Sequence, residues 1–281
     1  MTSTQIGIVG MGYWGKVILR NLRELGYKNI TICEQGEINW QEIGERYKQV
    51  KHFRQLDCEN VFVVVPVCSH YEVCEHFLKR GCNVFCEKPL DTGYDRCVEL
   101  YNIASDYRAS LFIDWLFIYN PAVNKIRSMI ESLGKPKSII ANRMNFGPVR
   151  HDVNARWDLA SHDVSIACYL LDEKPTEWSW LDFSRGNSSK QHDSTVGIIQ
   201  FSETSVQISA SWNYGMKNRM YILEFENCFL HWDDNTSTIL YGSEIIPCDK
   251  TSPLHRSIQS FMSNNYDQKQ LTLNITETLS Q

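Results

Sequence analysis

The chain opens on the feature that most constrains its fold, which is a short apolar run followed by three spaced glycines and an amphipathic segment. The run Ile6–Val9 predicts a strand, and Val17–Leu25 carries apolar residues at helical spacing. Between them lie the glycines of a G-x-G-x-x-G pattern, Gly10, Gly12 and Gly15. Glycine allows the tight turn, the close approach of a phosphate to the backbone, and the close packing of helix on sheet. The pattern therefore predicts a strand–turn–helix unit that binds the pyrophosphate of a dinucleotide.

A second strand, Ile30–Cys33, ends at Glu34, 24 residues after Gly10. At this position a carboxylate accepts hydrogen bonds from the adenosine ribose hydroxyls and repels a 2′-phosphate. We therefore predict NAD as the cofactor, with NADP less favoured. Tyr13 and Trp14 lie inside the glycine loop and are predicted to line the cofactor site.

Composition excludes several classes of protein. The formal net charge is −5 and the pI is near 5.9, so the chain lacks the basic surface that nucleic-acid binding requires. There is no basic leader and no stretch of about 18 uncharged apolar residues, which predicts a cytoplasmic protein without membrane contact. The ten cysteines include no C-x-x-C pair, as expected in a reducing compartment. The histidines lack the spacing of metal ligands, so we expect no metal.

Strand and helix patterns alternate through the first part of the chain, as a parallel sheet requires. These patterns lie at Val61–Val67, Ser69–Arg80, Asn83–Cys86, Tyr94–Tyr107 and Leu111–Ile113. From about Lys137 onward, apolar and polar residues alternate as in antiparallel strands, at Val206–Trp212 and Tyr221–Phe225. We therefore predict an α/β fold with an N-terminal Rossmann dinucleotide-binding domain over residues 1–120. Residues 121–281 are predicted to form a C-terminal α+β domain with a mostly antiparallel open sheet, which binds substrate and forms the oligomer.

Two further motifs make the chain resemble a known family. Glu87-Lys88-Pro89 follows the predicted strand at 83–86, and Asp158-x-x-x-His162 lies in the second domain. Together with the glycine pattern, and in the same order, they are similar to the motifs of the Gfo/Idh/MocA family of glucose–fructose oxidoreductases, inositol dehydrogenases and their relatives. The resemblance covers nearly the whole chain. It implies a nicotinamide-dependent oxidoreductase and a cis peptide bond before Pro89.

Lys88, Asp158 and His162 are the residues that we expect to be catalytic. Open α/β sheets bind ligands at the carboxyl ends of their strands, so Lys88 should lie beside the nicotinamide, where it can steady an alkoxide or relay its proton. Asp158 and His162 are four residues apart and share one face of a helix. Histidine suits the removal of a hydroxyl proton, and Asp158 can orient it, raise its basicity or hold a substrate hydroxyl. The resemblance favours His162 as the base and leaves its division of labour with Lys88 open.

Other side chains are candidates for binding. The predicted cofactor contacts beyond the glycine loop are Pro66, His70, Glu87 and Lys88. For His70, a role in starting a helix or in packing fits the sequence equally well. The predicted substrate contacts are Arg143, Asn145, Asp158, His162 and Asp163, with Arg150 as a further candidate. Asp163 is alternatively the partner of a neighbouring base such as Arg156.

The predicted sheet of the second domain indicates an oligomer. Its apolar side chains include Ile208, Trp212, Ile222 and Phe225, and we expect them near a face that helices leave uncovered. Such a patch is too large for a soluble monomer. We therefore expect a homodimer or homotetramer joined face to face through this sheet, as the resemblance also implies.

These observations lead to three hypotheses about function. The first is an NAD-dependent oxidoreductase that interconverts a secondary hydroxyl and a ketone on a sugar or nucleotide-linked sugar. The second is a cyclitol dehydrogenase of the inositol type, although Trp115 stands where many relatives carry a histidine. The third is a regulatory protein that binds NAD without turnover, which the presence of all three predicted catalytic residues disfavours.

Overall fold

The computed structural model describes residues 4–184 and 192–280, and the chain folds into two compact units. One unit extends to Asp114 and includes Leu254–Lys269, whereas the other contains Trp115–Pro253 and the C-terminal residues from Gln270. The chain therefore crosses between the units near the predicted position of residue 120. The return of a C-terminal segment to the first unit was not anticipated.

A parallel sheet with helices forms the first unit. Its strands are β1 (Ile6–Val9), β2 (Ile30–Cys33), β3 (Lys48–Val50), β4 (Asn60–Val63), β5 (Asn83–Cys86) and β6 (Leu111–Ile113). Its helices are α1 (Tyr13–Glu24), α2 (Trp40–Ile43), α3 (His70–Leu78) and α4 (Tyr94–Asp106). Within the described residues the sheet has six strands in the order β3-β2-β1-β4-β5-β6, and every neighbouring pair is parallel. The predicted α/β class and Rossmann domain are confirmed.

Local sequence explains where these elements begin and end. Helix α1 buries Ile18, Leu19 and Leu22 against the sheet, and Gly26 ends it with a φ of +88°. Strand β4 stops at Val63, short of the predicted Val67, because the chain turns into a 3₁₀ helix. Strand β3 was not predicted, since its three residues are polar or half-exposed and give no apolar pattern.

The second unit is built on a larger, mixed sheet. Its strands are β7 (Ser138–Phe146), β8 (Glu177–Phe183), β9 (Ser194–Gln200), β10 (Ser205–Ser211), β11 (Asn213–Glu224), β12 (Phe229–Asp233), β13 (Thr238–Tyr241) and β14 (Glu244–Ile246). Over the described ranges the order is β14-β13-β12-β11-β7-β10-β9-β8, and all pairs except β7 with β10 are antiparallel. The prediction of a mostly antiparallel sheet is confirmed. Helices α5 (Pro121–Leu133) and α6 (Ser161–Leu171) belong to this unit, and a π-helical turn, Arg156–Ala160, precedes α6.

The C-terminal helices are α7 (Pro253–Met262) and α8 (Lys269–Leu279). Phe261 of α7 packs its ring against three phenylalanines of the parallel sheet, Phe62, Phe85 and Phe112. Burial of one phenylalanine side chain contributes roughly 1.5–3 kcal/mol, which explains why this helix belongs to the first unit. Nowhere in the described ranges is there a helix long and apolar enough to cross a membrane.

The faces of the large sheet differ from the prediction. Ile208, Trp212 and Phe225 are buried rather than exposed, because their face carries the core of the second unit. The open face instead presents Ile140, Ile198 and Leu181, which are 38%, 51% and 65% exposed. Along each strand, successive side chains point to opposite faces of the sheet. The alternation in the sequence therefore identifies the two sets of side chains, but it does not tell which face the helices cover.

Candidate active-site residues

The glycine loop has three glycines with three different constraints. A Cβ atom on Gly10, where φ is +98°, would lie 2.4 Å from the carbonyl oxygen of Val64. A Cβ on Gly15 would lie 2.2 Å from the carbonyl oxygen of Gly10. No atom of the described residues lies within 4 Å of a Cβ on Gly12. Two glycines are therefore required by the fold itself, whereas Gly12 keeps open space beside the backbone.

That open space lies at the N-terminus of α1. Gly12 is the N-cap residue, and no side chain of the described part caps this helix end. The free backbone N–H groups and the helix dipole of such an end favour a phosphate. The exposed rings of Tyr13 and Trp14 begin the helix and contact each other edge to face at 5.5 Å.

Glu34 lies beside the same loop. Its Oε2 accepts a hydrogen bond from the backbone N–H of Met11 at 2.8 Å, and its Oε1 accepts one from Gly36 at 3.0 Å. The carboxylate is half-buried at the end of β2, where the adenosine ribose is expected. The open backbone at Gly12, the uncapped helix end and this carboxylate together fit a dinucleotide.

The loop after β5 carries Glu87 and Lys88, and the peptide bond between Lys88 and Pro89 is cis, as the resemblance implies. His70 contacts this loop, and its Nδ1 lies 2.8 Å from the carbonyl oxygen of Pro89. Its Nε2 lies 2.8 Å from the carbonyl oxygen of Val65. With both ring nitrogens engaged and only 1% of the residue exposed, His70 supports the loop in place of the predicted cofactor contact. Pro66 is exposed next to it and stays a predicted contact.

Asp114 is a further ionisable residue at the carboxyl end of the parallel sheet, which the sequence analysis missed. It follows β6, directly beside the strand that leads to Lys88. Burial raises the pKa of Asp114 to about 6, opposed by a 2.5 Å hydrogen bond from the Ser257 hydroxyl and by the charge of Lys88. The sequence could have indicated Asp114 as a site residue, because it lies at the end of a predicted strand, as the predicted catalytic Lys88 does.

In the second unit, Asp158 lies in the π-helical turn and His162 in the first turn of α6. The prediction that both residues share one face of an α-helix is therefore corrected, because Asp158 lies in a wider, π-helical turn. Single π-helical turns are frequent at functional sites. The indole N–H of Trp212 donates to Oδ2 of Asp158 at 2.9 Å, and Arg150 lies 3.9 Å from Oδ1. The carboxylate thus has a fixed orientation, and Trp212 is a positioning residue that the sequence did not reveal.

His162 is half-buried, and its ring contacts Phe117 edge to face at 5.0 Å. The Arg143 guanidinium also contacts Phe117, 4.3 Å from the centre of its ring. Arg143 and His162 therefore both contact the ring of Phe117. This packing fixes the position of Phe117, against which the histidine ring rests.

Arg143 and Asp163 form an internal ion pair, which replaces the predicted contact of both residues with substrate. Their side chains are 2% and 0% exposed. Nε of Arg143 donates to Oδ1 of Asp163 at 2.9 Å, and its NH2 group lies 2.8 Å from the same oxygen. The Tyr221 hydroxyl also donates to Asp163, and burial raises the pKa of that hydroxyl far above its usual value. Asn145 is half-buried and donates to the carbonyl oxygen of Gly147 at 2.6 Å, so its substrate contact stays a prediction.

Arg156 is not the partner of Asp163. It pairs with Asp182 of β8 at 2.6 Å, and Asp182 also accepts from Asn154 at 3.1 Å and from Thr195 at 2.6 Å. This network attaches the π-helical turn to the edge of the sheet. In residues 4–184 and 192–280, no group of three histidine, cysteine or acidic side chains has the arrangement of a metal site.

Comparison with known proteins adds a family and a set of relatives. Residues 4–114 match the model of an oxidoreductase family with an NAD-binding Rossmann fold, GFO_IDH_MocA. An inositol 2-dehydrogenase from Rhizobium meliloti is 26% identical over 181 residues, which are 59% of this chain and 54% of that protein. The matched region thus spans about half the length of this curated relative.

Solved structures resemble the chain over nearly its full length. The UDP-N-acetylglucosamine 3-dehydrogenase from Acidithiobacillus ferrooxidans superposes with a TM-score of 0.87 at 17% identity, covering 99% of this chain and 96% of that one. A 3-ketoreductase from Actinomadura kijaniata, solved with NADP, gives a TM-score of 0.83 at 15% identity and covers 99% and 96%. At these identities the similarity establishes the fold.

Proposed function

Because residues 4–114 belong to the Gfo/Idh/MocA oxidoreductase family, we propose that the protein is an NAD-dependent oxidoreductase acting on a secondary hydroxyl or ketone of a sugar or nucleotide-linked sugar. The observation that carries this proposal is the glycine loop, which leaves open backbone at Gly12 beside the carboxylate of Glu34. Similar proteins act on inositol and on UDP-N-acetylglucosamine, which supports the substrate class.

The choice of NAD rests on Glu34. A second negative group, the 2′-phosphate of NADP, would meet this carboxylate at short range, which is unfavourable. Lys51 follows β3 directly, and its ammonium group is directed to the carbonyl oxygens of Gln35 and Gly36 and to Glu37. A lysine engaged in this way contributes little to binding of a 2′-phosphate.

Three side chains are proposed to manage the proton. A bound nicotinamide dinucleotide supplies the hydride acceptor or donor. His162 removes or returns the hydroxyl proton, and Asp158, fixed by the Trp212 indole, holds the reacting hydroxyl or orients the histidine. Lys88 stabilises the negative charge that develops on the oxygen. The family resemblance favours His162 as the base, and variants of Lys88 and His162 test how the two residues divide the proton transfer.

The proposal is tested by NADH formation when the protein and NAD⁺ are offered a panel of sugars, nucleotide-linked sugars and inositols. We expect turnover of at least one substrate, and we expect Lys88→Met and His162→Asn to lower kcat by roughly 10²- to 10⁴-fold. Lys79→Met is the matched control, because this lysine is exposed and pairs with Glu75 on the surface of α3. Turnover by Lys88→Met and His162→Asn at the wild-type rate would contradict the assigned roles.

The same panel separates the alternatives. Turnover of inositols alone would make the protein a cyclitol dehydrogenase. Tight NADH binding without turnover of any compound would favour a regulatory protein that senses the dinucleotide.

The open face of the large sheet supports an oligomer. Ile140 lies opposite Ile222 on one neighbouring strand and Gln207 on the other, and Gln207 lies opposite Ile198. These residues form a row of three isoleucines and one glutamine across four strands, and we propose that a second copy of the chain covers it. Sedimentation should show a dimer or tetramer that Ile198→Lys weakens, whereas Tyr107→Lys, at an exposed ring of the first unit, should not. A wild-type monomer at micromolar concentration would contradict this part of the proposal.

We also propose a cytoplasmic location. No disulfide joins any of the ten cysteines, all of which lie in the described residues, and seven of them are buried, as in proteins of reducing compartments. Fractionation of cells should recover the protein with the cytosol, and recovery from an oxidising compartment would contradict the proposal.

A further inference from the structure

Two arginines face each other on neighbouring strands of the large sheet. Arg219 of β11 lies directly opposite Arg143 of β7. Like charges in this position destabilise a strand pair unless other groups compensate them. Arg143 is compensated, because Asp163 accepts two short contacts from it inside the unit.

Arg219 has no such partner among the described residues. Its closest carboxylate in the described part of the chain is that of Asp234, 4.0 Å from its NH1 group, and Arg143 lies 3.9 Å from the same oxygen. Its Nε is buried, and no acceptor among the described residues lies within hydrogen-bond distance of it. A guanidinium has five N–H donors, so this side chain keeps donors that can bind a further acceptor.

Two other partly buried arginines of the second unit, Arg150 and Arg156, differ from Arg219. Arg150 donates two hydrogen bonds to Asp152, at 2.9 and 2.7 Å. Arg156 donates to Asp182 at 2.6 Å. Each therefore has a carboxylate at hydrogen-bond distance, and Arg219 does not.

The electrostatic surroundings of Arg219 lead to the same conclusion. Burial lowers the pKa of Arg219, and the charge of Arg143 lowers it further. The carboxylates of Asp234, Asp163 and Asp158 oppose this effect without removing it. The charge of Asp158, a predicted catalytic residue, thus acts on the Arg219 guanidinium, whose side chain is 30% exposed.

We propose that Arg219 binds an anionic group of the substrate, either the carboxylate of a sugar acid or a phosphate of a nucleotide-linked sugar. The fork of N–H donors in a guanidinium matches both groups. The inference rests on the proposed function and narrows its substrates to acidic sugars, so neutral sugars and inositols bind without the contact to Arg219.

The test uses the full-length protein and calorimetric titration with four probes: D-glucuronate, UDP-glucose, inorganic pyrophosphate and myo-inositol. Wild type is compared with Arg219→Met, Arg219→Lys and Lys217→Met. Lys217 is exposed on the same strand. Lys217→Met removes one positive charge, as Arg219→Met does, so it controls for the change in the electrostatic field of the protein. Pyrophosphate bound at the glycine loop cancels in the comparison, because that loop is identical in every variant.

We expect Arg219→Met to weaken at least one anionic probe by about 10- to 100-fold, the loss of hydrogen bonds to a charged group. The affinity of Arg219→Lys for that probe should be intermediate. Lys217→Met should bind the anionic probes as wild type does, and no variant should change the affinity for myo-inositol. A loss restricted to D-glucuronate would identify a carboxylate, and a loss restricted to UDP-glucose and pyrophosphate would identify a phosphate. Equal anion binding by wild type and Arg219→Met, or equal losses in Lys217→Met, would overturn the proposal.

Thermal unfolding separates this role from a structural one. A binding arginine held against a like charge costs stability, so Arg219→Met should melt at the same temperature as wild type or higher. A lower melting temperature with unchanged anion binding would mean that Arg219 serves the fold. An NADH titration of the same proteins tests the proposed function separately, since Arg219→Met should leave NADH binding intact.

Discussion

In the first unit the candidate cofactor site consists of backbone, whereas in the second unit the candidate catalytic residues are held by side chains from distant parts of the chain. The glycine loop requires three glycines within six residues and one carboxylate. Asp158 depends on Trp212, 54 residues later, and Arg143 depends on Asp163, 20 residues later. A site made of local backbone is therefore visible as a motif, and a site made of side-chain contacts across a sheet is not.

The largest effect should come from the buried ion pair of the second unit. In Arg143→Met, Asp163 keeps its burial and loses its counter-charge, which should lower the free energy of unfolding by about 3–5 kcal/mol. Urea denaturation measures this. Lys137→Met, which breaks the exposed pair of Lys137 with Glu226, should leave the midpoint unchanged. Equal urea midpoints for wild type, Arg143→Met and Lys137→Met would show that the stability of the second unit does not depend on its buried ion pair.

Asp114 is a buried ionisable side chain in the first unit, whose candidate cofactor site otherwise consists of backbone. Its folded pKa of about 6 lies above the ordinary value of 3.8, so between these pH values the folded state keeps a proton that the unfolded state has lost. The free energy of unfolding contributed by Asp114 therefore falls as pH rises from about 4 to about 6, by up to about 3 kcal/mol. Asp114→Asn should remove this dependence and be the more stable protein at pH 7. Parallel pH profiles of urea midpoints for the two proteins would contradict this.

Gly10 and Gly12 form a matched pair within the loop. Gly10→Ala places a methyl group 2.4 Å from the carbonyl oxygen of Val64 at a φ of +98°, which should cost about 1–3 kcal/mol of stability. Gly12→Ala meets no protein atom of the described residues within 4 Å, so its stability should match wild type. Its NADH affinity should fall by about tenfold or more, equivalent to about 1.4 kcal/mol. Loss of stability in Gly12→Ala with normal NADH binding would show that the open space serves the fold.

The smallest effect concerns orientation in the second unit. Trp212→Phe removes the hydrogen bond to Asp158, which should lower kcat/KM by about tenfold. Trp180→Phe is the control, because its indole N–H donates to the carbonyl oxygen of Thr278. An unchanged kcat/KM in Trp212→Phe would limit Trp212 to packing.

The sequence predicted the first unit closely because each of its signals is local. The glycines, Glu34 and the Glu87-Lys88-Pro89 motif each lie at the end of a strand that its own apolar run identifies. Strand β3 escaped prediction, since an edge strand of three polar or half-exposed residues has no apolar pattern.

The second unit was harder to predict for a physical reason. Arg143, Asp163 and Ile208 have sequence neighbours that fit either an exposed or a buried position, and packing across the sheet decides which. Arg143 and Asp163 were therefore predicted as substrate contacts although they pair inside the unit. Trp212 and Arg219 were not predicted to be functional at all, because their partners lie on other strands and helices.

Titration with NADH and NADPH, followed by nicotinamide fluorescence, tests whether the chain binds NAD through the loop at Gly12 and Glu34. We expect saturable binding of NADH and weaker binding of NADPH, with NADH binding reduced in Gly12→Ala. Tighter binding of NADPH would contradict the role assigned to Glu34. Binding of neither dinucleotide would contradict NAD binding by this chain.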